Sequence, residues 1–393
     1  MKKDIVIIGI DASNLLYGGG RTHIVEILSA LDFLKFNSYK VIIWGSFETL
    51  SLFSEYSWLE KRVVSKLSKG IFTRSIWQTF SLSKLAMEEN CDVLFVPSGI
   101  FLGRFRPFVT MSRNLLPFDN SELFNYGFSL ITLRLLFLRF VLIFTLKRAN
   151  GIIFLTNYSM KTVFRYLNKV DGIVKVIPHG VSERFRAISP YNLHQDFSFE
   201  RPFFVTYVSH IEMYKNHWNV IESIYILRSI GIPIQLNLVG SYSSKKAVKI
   251  FNKAIMKFDP NLDWINYYGP VPFNQLHEIY SNSHIGIFAS SCENMPNTLI
   301  EMMASSLPIA CSNFGPMPEI LKNNGLYFNP KKSIEISKQV FTYYNDYRLR
   351  IDNGVNSCTE ANNYSWYICA KETFEFLKEI QNLKENKEID VAD

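Results

Sequence analysis

Short apolar runs alternate with amphipathic helical patterns along this chain, and the alternation occurs twice. The runs that predict buried strands cover residues 5–10, 40–44, 93–96, 108–111, 152–156, 174–177, 203–208, 235–239, 264–268, 285–289 and 308–312. Helical patterns separate several of these strands, for example residues 22–33, 159–167, 218–229, 246–257 and 273–281. Strands that alternate with helices form parallel sheets covered by helices on both faces. The sequence therefore predicts an α/β protein with two doubly wound, Rossmann-like domains that bind ligands at the carboxyl ends of strands.

The length of 393 residues supports two domains, because it exceeds what one ordinary core accommodates. Hydrophobic residues make up 48% of the chain and charged residues 20%, which is typical of a globular protein. We predict an N-terminal domain at residues 1–180, a C-terminal domain at residues 181–363, and a final helix with its tail at residues 364–393. We expect that helix to cross back to the N-terminal domain, and residues 384–393 to form a frayed, charged tail.

The cysteines and the N-terminus bear on the cellular compartment. The five cysteines are scattered, with no Cys-x-x-Cys pair and no histidine cluster at metal-ligand spacing. This pattern indicates a reducing compartment and argues against a structural zinc site. The apolar run after Met1-Lys2-Lys3-Asp4 is too short for a signal peptide. We therefore expect a cytoplasmic protein.

Basic residues are concentrated in the first half of the chain, which carries much of the net charge of +7. They are interleaved with aromatic residues such as Trp58, Phe72 and Trp77, and they include Lys61, Arg62, Lys66, Lys69, Arg74, Arg104, Arg106, Arg113, Arg134, Arg139, Lys147 and Arg148. No nucleic-acid-binding motif accompanies them, so we expect no nucleic-acid partner. A first domain that faces a membrane surface, on the inner side of the cytoplasmic membrane, is the better interpretation.

Residues 128–145 include 13 strongly apolar residues out of 18, nearly enough to span a bilayer. Their insertion is favourable by roughly 4–8 kcal/mol, but Arg134 and Arg139 each cost about 2.5–3.5 kcal/mol near the centre. These contributions nearly cancel, so spanning is marginal. A buried helix of the first domain is the favoured interpretation, and a helix in the membrane interface is the alternative.

Two carboxylates give the strongest chemical signal in the chain. Glu293 and Glu301, separated by seven residues, follow the predicted strand at residues 285–289. Thr298 with Glu301 fits a capping box, which predicts that a helix starts near Thr298 with Glu301 in its first turn. The N–H groups at that helix start can hold a diphosphate, with the carboxylates accepting hydrogen bonds from the flanking sugar and ribose hydroxyls. The alternative is a capping residue and a solvated loop acid.

Two further segments are suited to phosphate contacts. Lys215 lies at a strand-to-helix junction, where a charge-assisted hydrogen bond to phosphate contributes about 1.5–3 kcal/mol; a solvated lysine is the alternative. Gly18, Gly19 and Gly20 follow the first strand and allow close approach of the backbone to a ligand. No Gly-x-Gly-x-x-Gly or P-loop motif is present, which disfavours NAD binding and ATP hydrolysis. No Asp-x-Asp pair occurs either, so we expect neither a metal nor a cofactor.

The order and spacing of these segments resemble the retaining glycosyltransferases of family 4, which have the GT-B fold of two Rossmann-like domains facing across a cleft. The resemblance covers essentially the whole chain and is most specific at residues 207–330. The residues there that match the family pattern are Glu293 through Glu301, Ala304, Leu307-Pro308, Cys311-Ser312-Asn313, Gly315, Pro318-Glu319 and residues 326–330. Residues 176–181 resemble the element that ends the first domain, and residues 268–271 resemble the loop where the donor base rests.

The resemblance implies a role for each matching residue. Glu293 would contact the donor sugar as the catalytic carboxylate, and Lys215 and His210 would face the diphosphate. The remaining donor-binding residues would be Glu301 at the ribose, together with Gly18, Gly19, Gly20, Asn297, Thr298 and Gly269. Arg113 and Asn114 would lie on the acceptor side. The family needs no metal and retains the anomeric configuration, commonly with the leaving phosphate helping to deprotonate the acceptor.

Three departures from the family pattern are present. His210 replaces the usual arginine, so the charge at this position would vary near neutral pH. Arg113-Asn114 replaces a His-Asp pair, and Asn294-Met295-Pro296 replaces the usual glycines after Glu293.

Because Lys215, Glu293 and Glu301 all remain, we expect an active transferase. It would use a UDP- or GDP-sugar and a lipid-linked saccharide acceptor in bacterial O-antigen or capsule biosynthesis, with peripheral membrane association. A nucleotide-sugar epimerase on the same fold and a non-catalytic nucleotide-sugar-binding module are the alternatives.

Overall fold

The computed structural model describes residues 5–15, 19–33, 39–167, 169–186 and 196–389. The chain divides into two compact units, Met1–Gly180 with Ser365–Asp393 (unit 1) and Val181–Tyr364 (unit 2). Each unit contains one parallel sheet with helices.

Unit 1 has a seven-stranded sheet in the order β3-β2-β1-β4-β5-β6-β7, in which every neighbouring pair is parallel. Its strands are β1 (Val6–Asp11), β2 (Tyr39–Gly45), β3 (Leu59–Val63), β4 (Val93–Val96), β5 (Phe108–Ser112), β6 (Gly151–Phe154) and β7 (Ile173–Val176). Its helices up to the unit boundary are α1 (Gly19–Phe33), α2 (Phe47–Leu50), α3 (Ile71–Phe80), α4 (Leu82–Glu88), α5 (Asn120–Asn125), α6 (Leu130–Arg148) and α7 (Asn157–Phe164).

Unit 2 has a six-stranded parallel sheet in the order β10-β9-β8-β11-β12-β13. Its strands are β8 (Phe203–Val208), β9 (Ile234–Val239), β10 (Ile265–Gly269), β11 (Ile285–Phe288), β12 (Ile309–Ser312) and β13 (Leu326–Phe328). Its helices are α8 (His217–Ser229), α9 (Lys245–Phe258), α10 (Leu276–Ser281), α11 (Asn297–Ala304), α12 (Met317–Leu321), α13 (Ser333–Asn345) and α14 (Tyr347–Ala361). Strand order reverses between β8 and β11, which is where open α/β sheets bind ligands.

The last helix, α15 (Trp366–Ile389), belongs to unit 1 and packs against α1 and the strands β4, β5 and β6. Phe374, Phe376, Leu377 and Ile380 are buried in this contact region. The helix continues to Ile389 and thus includes residues 384–389 of the predicted tail, and residues 390–393 lie outside the described residues.

The predicted strands are all present in the two sheets, but β3 and β13 were not predicted from the sequence. The sequence of β3 is Leu-Glu-Lys-Arg-Val, and its three central charged residues hide the strand pattern at this sheet edge. The other missed strand, β13, has only three residues. Both strands lie at sheet edges, where one-sided pairing and fewer buried positions leave a weaker apolar pattern.

Helix α6 contains most of the apolar stretch at residues 128–145, and it differs from the favoured prediction of a buried helix. One face packs into unit 1 through Leu135, Leu142, Thr145 and Leu146. The opposite face leaves large apolar side chains in solvent, Phe137 and Phe140 among them. No helix within the described residues is long and apolar enough to cross a membrane.

Gly240, directly after β9, provides a test of the unit 2 sheet. Its φ is +148°, and a Cβ here would lie 2.0 Å from the carbonyl oxygen of Ser209, which follows β8. Gly231 also has positive φ, +88°, but a Cβ there would meet open space. We expect Gly231→Ala to cost about 1–2 kcal/mol of unfolding free energy, and Gly240→Ala about 1–3 kcal/mol more because it adds a backbone clash. Urea denaturation measures both, and equal losses would contradict the close approach of the two loops.

Candidate active site

The two strands at which the order reverses in unit 2 each lead into a loop that carries a predicted site residue. The chain leaves β8, passes His210, and enters a short 3-10 helix, Met213–Lys215. Glu293 lies in the loop between β11 and α11. Because β8 and β11 are parallel neighbours, their carboxyl ends lie at the same edge of the sheet. The topology therefore brings Lys215 close to Glu293, 78 positions away in sequence.

Lys215 and Glu293 form an ion pair through Nζ and Oε1. Both side chains are largely covered, with 11% and 14% of their surfaces exposed. The Lys215 ammonium also lies 5.3 Å from the centre of the Tyr214 ring and 5.5 Å from that of Phe288, distances at which a cation is attracted to an aromatic face. Removing one partner of such a covered pair would leave an uncompensated charge, so the two residues act as one electrostatic unit.

Hydrogen bonds fix the backbone on both sides of this ion pair. The Asn216 side chain donates to the carbonyl oxygen of Ala289 at 2.9 Å, and the Ser291 N–H donates to that of Tyr214 at 2.8 Å. The Tyr207 hydroxyl donates to the Lys215 carbonyl at 2.8 Å. These hydrogen bonds were not predicted from the sequence. The one available signal was the asparagine at position 216, since asparagine tolerates the left-handed conformation that this residue adopts.

The helix after Glu293 starts one residue earlier than predicted and without the predicted capping box. It begins at Asn297, its N-cap is Pro296, and no side chain caps it. The capping-box prediction for Thr298 and Glu301 is wrong because the N-cap is Pro296, so Thr298 is the second and Glu301 the fifth residue of the helix. Asn297 and Thr298 are the first two residues of α11, whose N–H groups have no intrahelical acceptor. These groups remain suited to an anionic ligand.

Glu301 lies inside unit 2 and is 6% exposed. Burial raises the pKa of its carboxyl group to about 8, although the Tyr280 hydroxyl and the Arg184 cation act in the opposite direction. Its Oε2 atom, like Oδ1 of Asn297, is buried without a hydrogen-bond partner among the described residues. Buried polar atoms of this kind are uncommon, and these two both lie in the helix that follows the Glu293 loop.

His210 lies in the loop that leaves β8, five residues before Lys215. Its Nδ1 lies 2.8 Å from the Ser241 hydroxyl oxygen in the loop after β9. Partial burial, and next the Lys215 cation, lower the pKa of the His210 imidazole below its ordinary value. The ring is therefore neutral at neutral pH and offers a hydrogen bond rather than a second positive charge.

Gly269 ends β10 with φ of +67°. Its carbonyl oxygen accepts the Gly240 N–H at 2.8 Å, and the Tyr267 hydroxyl donates to the Gly240 carbonyl at 2.8 Å. These two hydrogen bonds hold the loop after β10 against the loop after β9. The loop after β9 also contains Ser241, the hydrogen-bond partner of His210. This places the predicted base-binding loop at the same sheet edge as Lys215.

The structure brings together some, but not all, of the site residues that were predicted in unit 1. Gly19 and Gly20 open α1, whereas Gly18 lies outside the described residues. Arg113, directly after β5, donates from Nη1 to the Gly20 carbonyl oxygen at 3.4 Å, and burial lowers the pKa of its guanidinium to about 10. Asn114 is exposed, and its Oδ1 accepts the Leu116 N–H at 3.1 Å. The structure therefore joins Arg113 to the glycine segment and gives Asn114 a turn-forming contact.

A pair of buried histidines next to Arg113 was not predicted. Nδ1 of His23 and Nδ1 of His179 are 3.2 Å apart, and the edge of Trp366 on α15 contacts both rings. Burial lowers the pKa of both imidazoles well below the ordinary value, and the Arg113 cation lowers them further. Two neutral rings satisfy this geometry, since one nitrogen donates and the other accepts.

Comparison with known proteins identifies the class of fold. Over 95% of its length the chain is similar to sucrose-phosphate synthase from Thermosynechococcus elongatus, with a TM-score of 0.76, 15% identity and 99% of that chain covered. It is also similar over 95% of its length to Anabaena HepE in complex with UDP-glucose, with a TM-score of 0.71, 16% identity and 99% of that chain covered. Two parallel sheets of seven and six strands, together with these neighbours, define the GT-B fold.

Sequence comparison then identifies the domain in unit 2. Residues 192–356 match the family model described as Glycosyl transferases group 1. The chain is 27% identical over 115 residues to O-antigen chain mannosyltransferase B of Escherichia coli, which is 29% of this chain and 30% of that protein. It is 30% identical over 99 residues to O-antigen chain mannosyltransferase RfbU of Salmonella typhimurium, 23% of this chain and 28% of that protein. The match spans less than a third of these relatives' length, and it shows that the chain carries a glycosyltransferase domain.

The buried Glu301 predicts a dependence of stability on pH. Between the ordinary glutamate pKa near 4.5 and about 8, the folded chain keeps a proton on Glu301 that the unfolded chain has released. Stability therefore falls as pH rises through this window, by on the order of 1 kcal/mol per pH unit. The side chain in Glu301→Gln cannot ionise, so we expect this variant to lack the pH-dependent loss of stability. The control variant Glu278→Gln, at an exposed position, should keep that loss. Urea denaturation from pH 5 to pH 8 measures this, and parallel profiles for wild type and Glu301→Gln would contradict a protonated Glu301.

Proposed function

We propose that the protein is a retaining, metal-independent glycosyltransferase of family 4. It transfers a sugar from a UDP- or GDP-sugar to a saccharide acceptor, lipid-linked, in bacterial surface-polysaccharide biosynthesis. The observation that carries this proposal is the Lys215–Glu293 ion pair, which lies at the strand-order reversal of unit 2 just before the start of α11. The names of the two mannosyltransferase relatives support the polysaccharide part of the proposal.

The ion pair accounts for how a diphosphate and a carboxylate can share one site. Alone, Glu293 would repel the donor phosphates. Lys215 screens that repulsion, since its ammonium contacts Glu293 and has two further N–H groups to donate. The N–H groups at the start of α11 supply further donors for phosphate oxygens, and the carboxyl group of Glu301 contacts a ribose hydroxyl.

The reaction then requires only one proton transfer, from the acceptor hydroxyl to the leaving diphosphate. The bond between the sugar C1 and the diphosphate oxygen breaks, and the acceptor oxygen bonds to C1 on the same face. The acceptor hydroxyl proton passes to an oxygen of the leaving diphosphate. Lys215 stabilises the negative charge that grows on that diphosphate, and Glu293 orients the sugar through its hydroxyl groups.

Metal independence is part of the proposal because Lys215 supplies a positive charge where other transferases use a divalent ion. The described part of the chain contains no group of three or more His, Cys, Asp or Glu side chains that could hold a metal ion. The direct check is donor stabilisation and turnover with magnesium and with EDTA, and a loss of turnover in EDTA would contradict this part.

Thermal unfolding with UDP-, GDP-, ADP- and CMP-sugars tests donor binding. We expect one nucleotide series to stabilise the protein, by about 2.7 kcal/mol at 100 times its dissociation constant. Lys215→Ala removes the diphosphate contact and should abolish the shift, whereas Lys249→Ala, at an exposed position on α9, should keep it. Loss of the shift in both variants, or no shift in the wild type, would contradict the proposed donor site.

Glu293→Gln separates catalysis from binding. The amide keeps the shape of the carboxylate but loses its charge, so we expect the nucleotide to bind while sugar transfer falls by roughly 100-fold. NMR of the product tests retention through the anomeric configuration of the new linkage. Donor conversion without any acceptor would favour the epimerase alternative, and unchanged glycan production in cells carrying Glu293→Gln would favour the binding module.

A further inference from the structure

One apolar surface of unit 1 remains uncovered. Phe124 is 80% exposed and Phe128 fully exposed in the segment that leads into α6, and on the helix itself Leu133, Phe137 and Phe140 are 64%, 69% and 68% exposed. The last three follow one another at spacings of four and three, so they lie on one face of the helix. We call these five residues the α6 surface. Contiguous apolar patches of this kind on a globular protein mark an interaction site.

The orientation of α6 is fixed by its opposite face. Arg139 donates from Nε to the Pro117 carbonyl at 2.5 Å and from Nη2 to the Asn120 Oδ1 at 2.6 Å. The Thr145 hydroxyl accepts the Phe101 N–H at 3.1 Å. The helix therefore cannot turn its exposed aromatic side chains into the core without breaking these contacts.

The charged residues of α6 itself are all basic. Between residues 119 and 150 the acidic residues are Asp119, which is half-buried, and Glu122, which is 1% exposed, whereas Arg134 and Lys147 are exposed. Lys61 and Arg62, grouped with them by sequence, form ion pairs with Glu55, Glu60 and Glu89 on a different edge of the sheet. A basic, apolar face is complementary to an anionic lipid surface. A second copy of the chain is a poorer partner, because a two-fold contact would bring the same positive charges together.

We propose that the α6 surface inserts into the interface of a membrane that contains anionic lipids. The helix lies parallel to the membrane plane, its phenylalanine and leucine side chains reach the acyl-chain boundary, and Arg134 and Lys147 contact lipid phosphates. This deepens the proposed function and rests on it in one respect: the contact brings the enzyme to the surface where a lipid-linked acceptor is found.

Flotation of the full chain with vesicles tests the proposal. One set contains phosphatidylcholine with phosphatidylglycerol, and the other contains phosphatidylcholine alone. We expect binding to the anionic set, and at least tenfold weaker binding for Phe137→Ser/Phe140→Ser because each exposed phenylalanine contributes to insertion. Arg134→Glu should reduce the preference for anionic vesicles. The control Ile230→Ser/Met256→Ser removes two exposed apolar side chains of unit 2 and should bind as the wild type does.

Several outcomes would overturn the proposal. These are absence of wild-type binding to both vesicle sets, unchanged binding by the double phenylalanine variant, or an equal loss in the control. Sedimentation equilibrium adds another: a wild-type dimer that Phe137→Ser/Phe140→Ser converts to a monomer would make the α6 surface a self-association interface. Nucleotide-induced thermal stabilisation of the same variants checks their folding, and it separates this inference from the proposed function, since donor binding fails or succeeds independently of lipid.

Discussion

The Lys215–Glu293 ion pair is the interaction on which the candidate site depends, and it exists because β8 and β11 are adjacent parallel strands. The two loops that leave these strands at one sheet edge carry opposite charges, and the Asn216 and Ser291 hydrogen bonds hold their backbones together. A carboxylate that would otherwise repel a diphosphate is thereby paired with a cation. The same arrangement makes both residues sensitive to loss of the other.

Burial gives the two glutamates of this site different properties. Glu293 lies in a loop with an ionic partner, whereas Glu301 lies inside unit 2 and its carboxyl pKa is raised to about 8. A protonated Glu301 can both donate and accept a hydrogen bond, which suits contact with a ribose hydroxyl. Identical residue types eight positions apart therefore differ in charge, because one side chain faces the site edge and the other the interior.

The sequence predicted most strands of the second half of the fold because the central strands of that sheet are almost entirely buried. Runs such as Ile285–Phe288 and Phe203–Val208 contain hardly any polar residue, and such runs are typical of central parallel strands. Lys215, Glu293 and Glu301 were recognisable because they follow these strands at fixed spacings. The edge strand β3, with three charged residues, and the uncapped start of α11 gave no comparable pattern. The histidine pair was also out of reach, since His23 and His179 are 156 positions apart.

The sequence by itself determined the α/β class, the two-fold repetition of strand and helix, and the residue types available for chemistry, because these follow from local apolar periodicity and from side-chain identity. Only the tertiary structure decided which of those residues meet, which are buried and which face of α6 stays in solvent. Ion pairing, pKa shifts and surface exposure depend on distances between distant parts of the chain, and local periodicity carries no information about them. The apolar residues of α6 lie on all sides of the helix, so only its packing against the rest of unit 1 could select the exposed face.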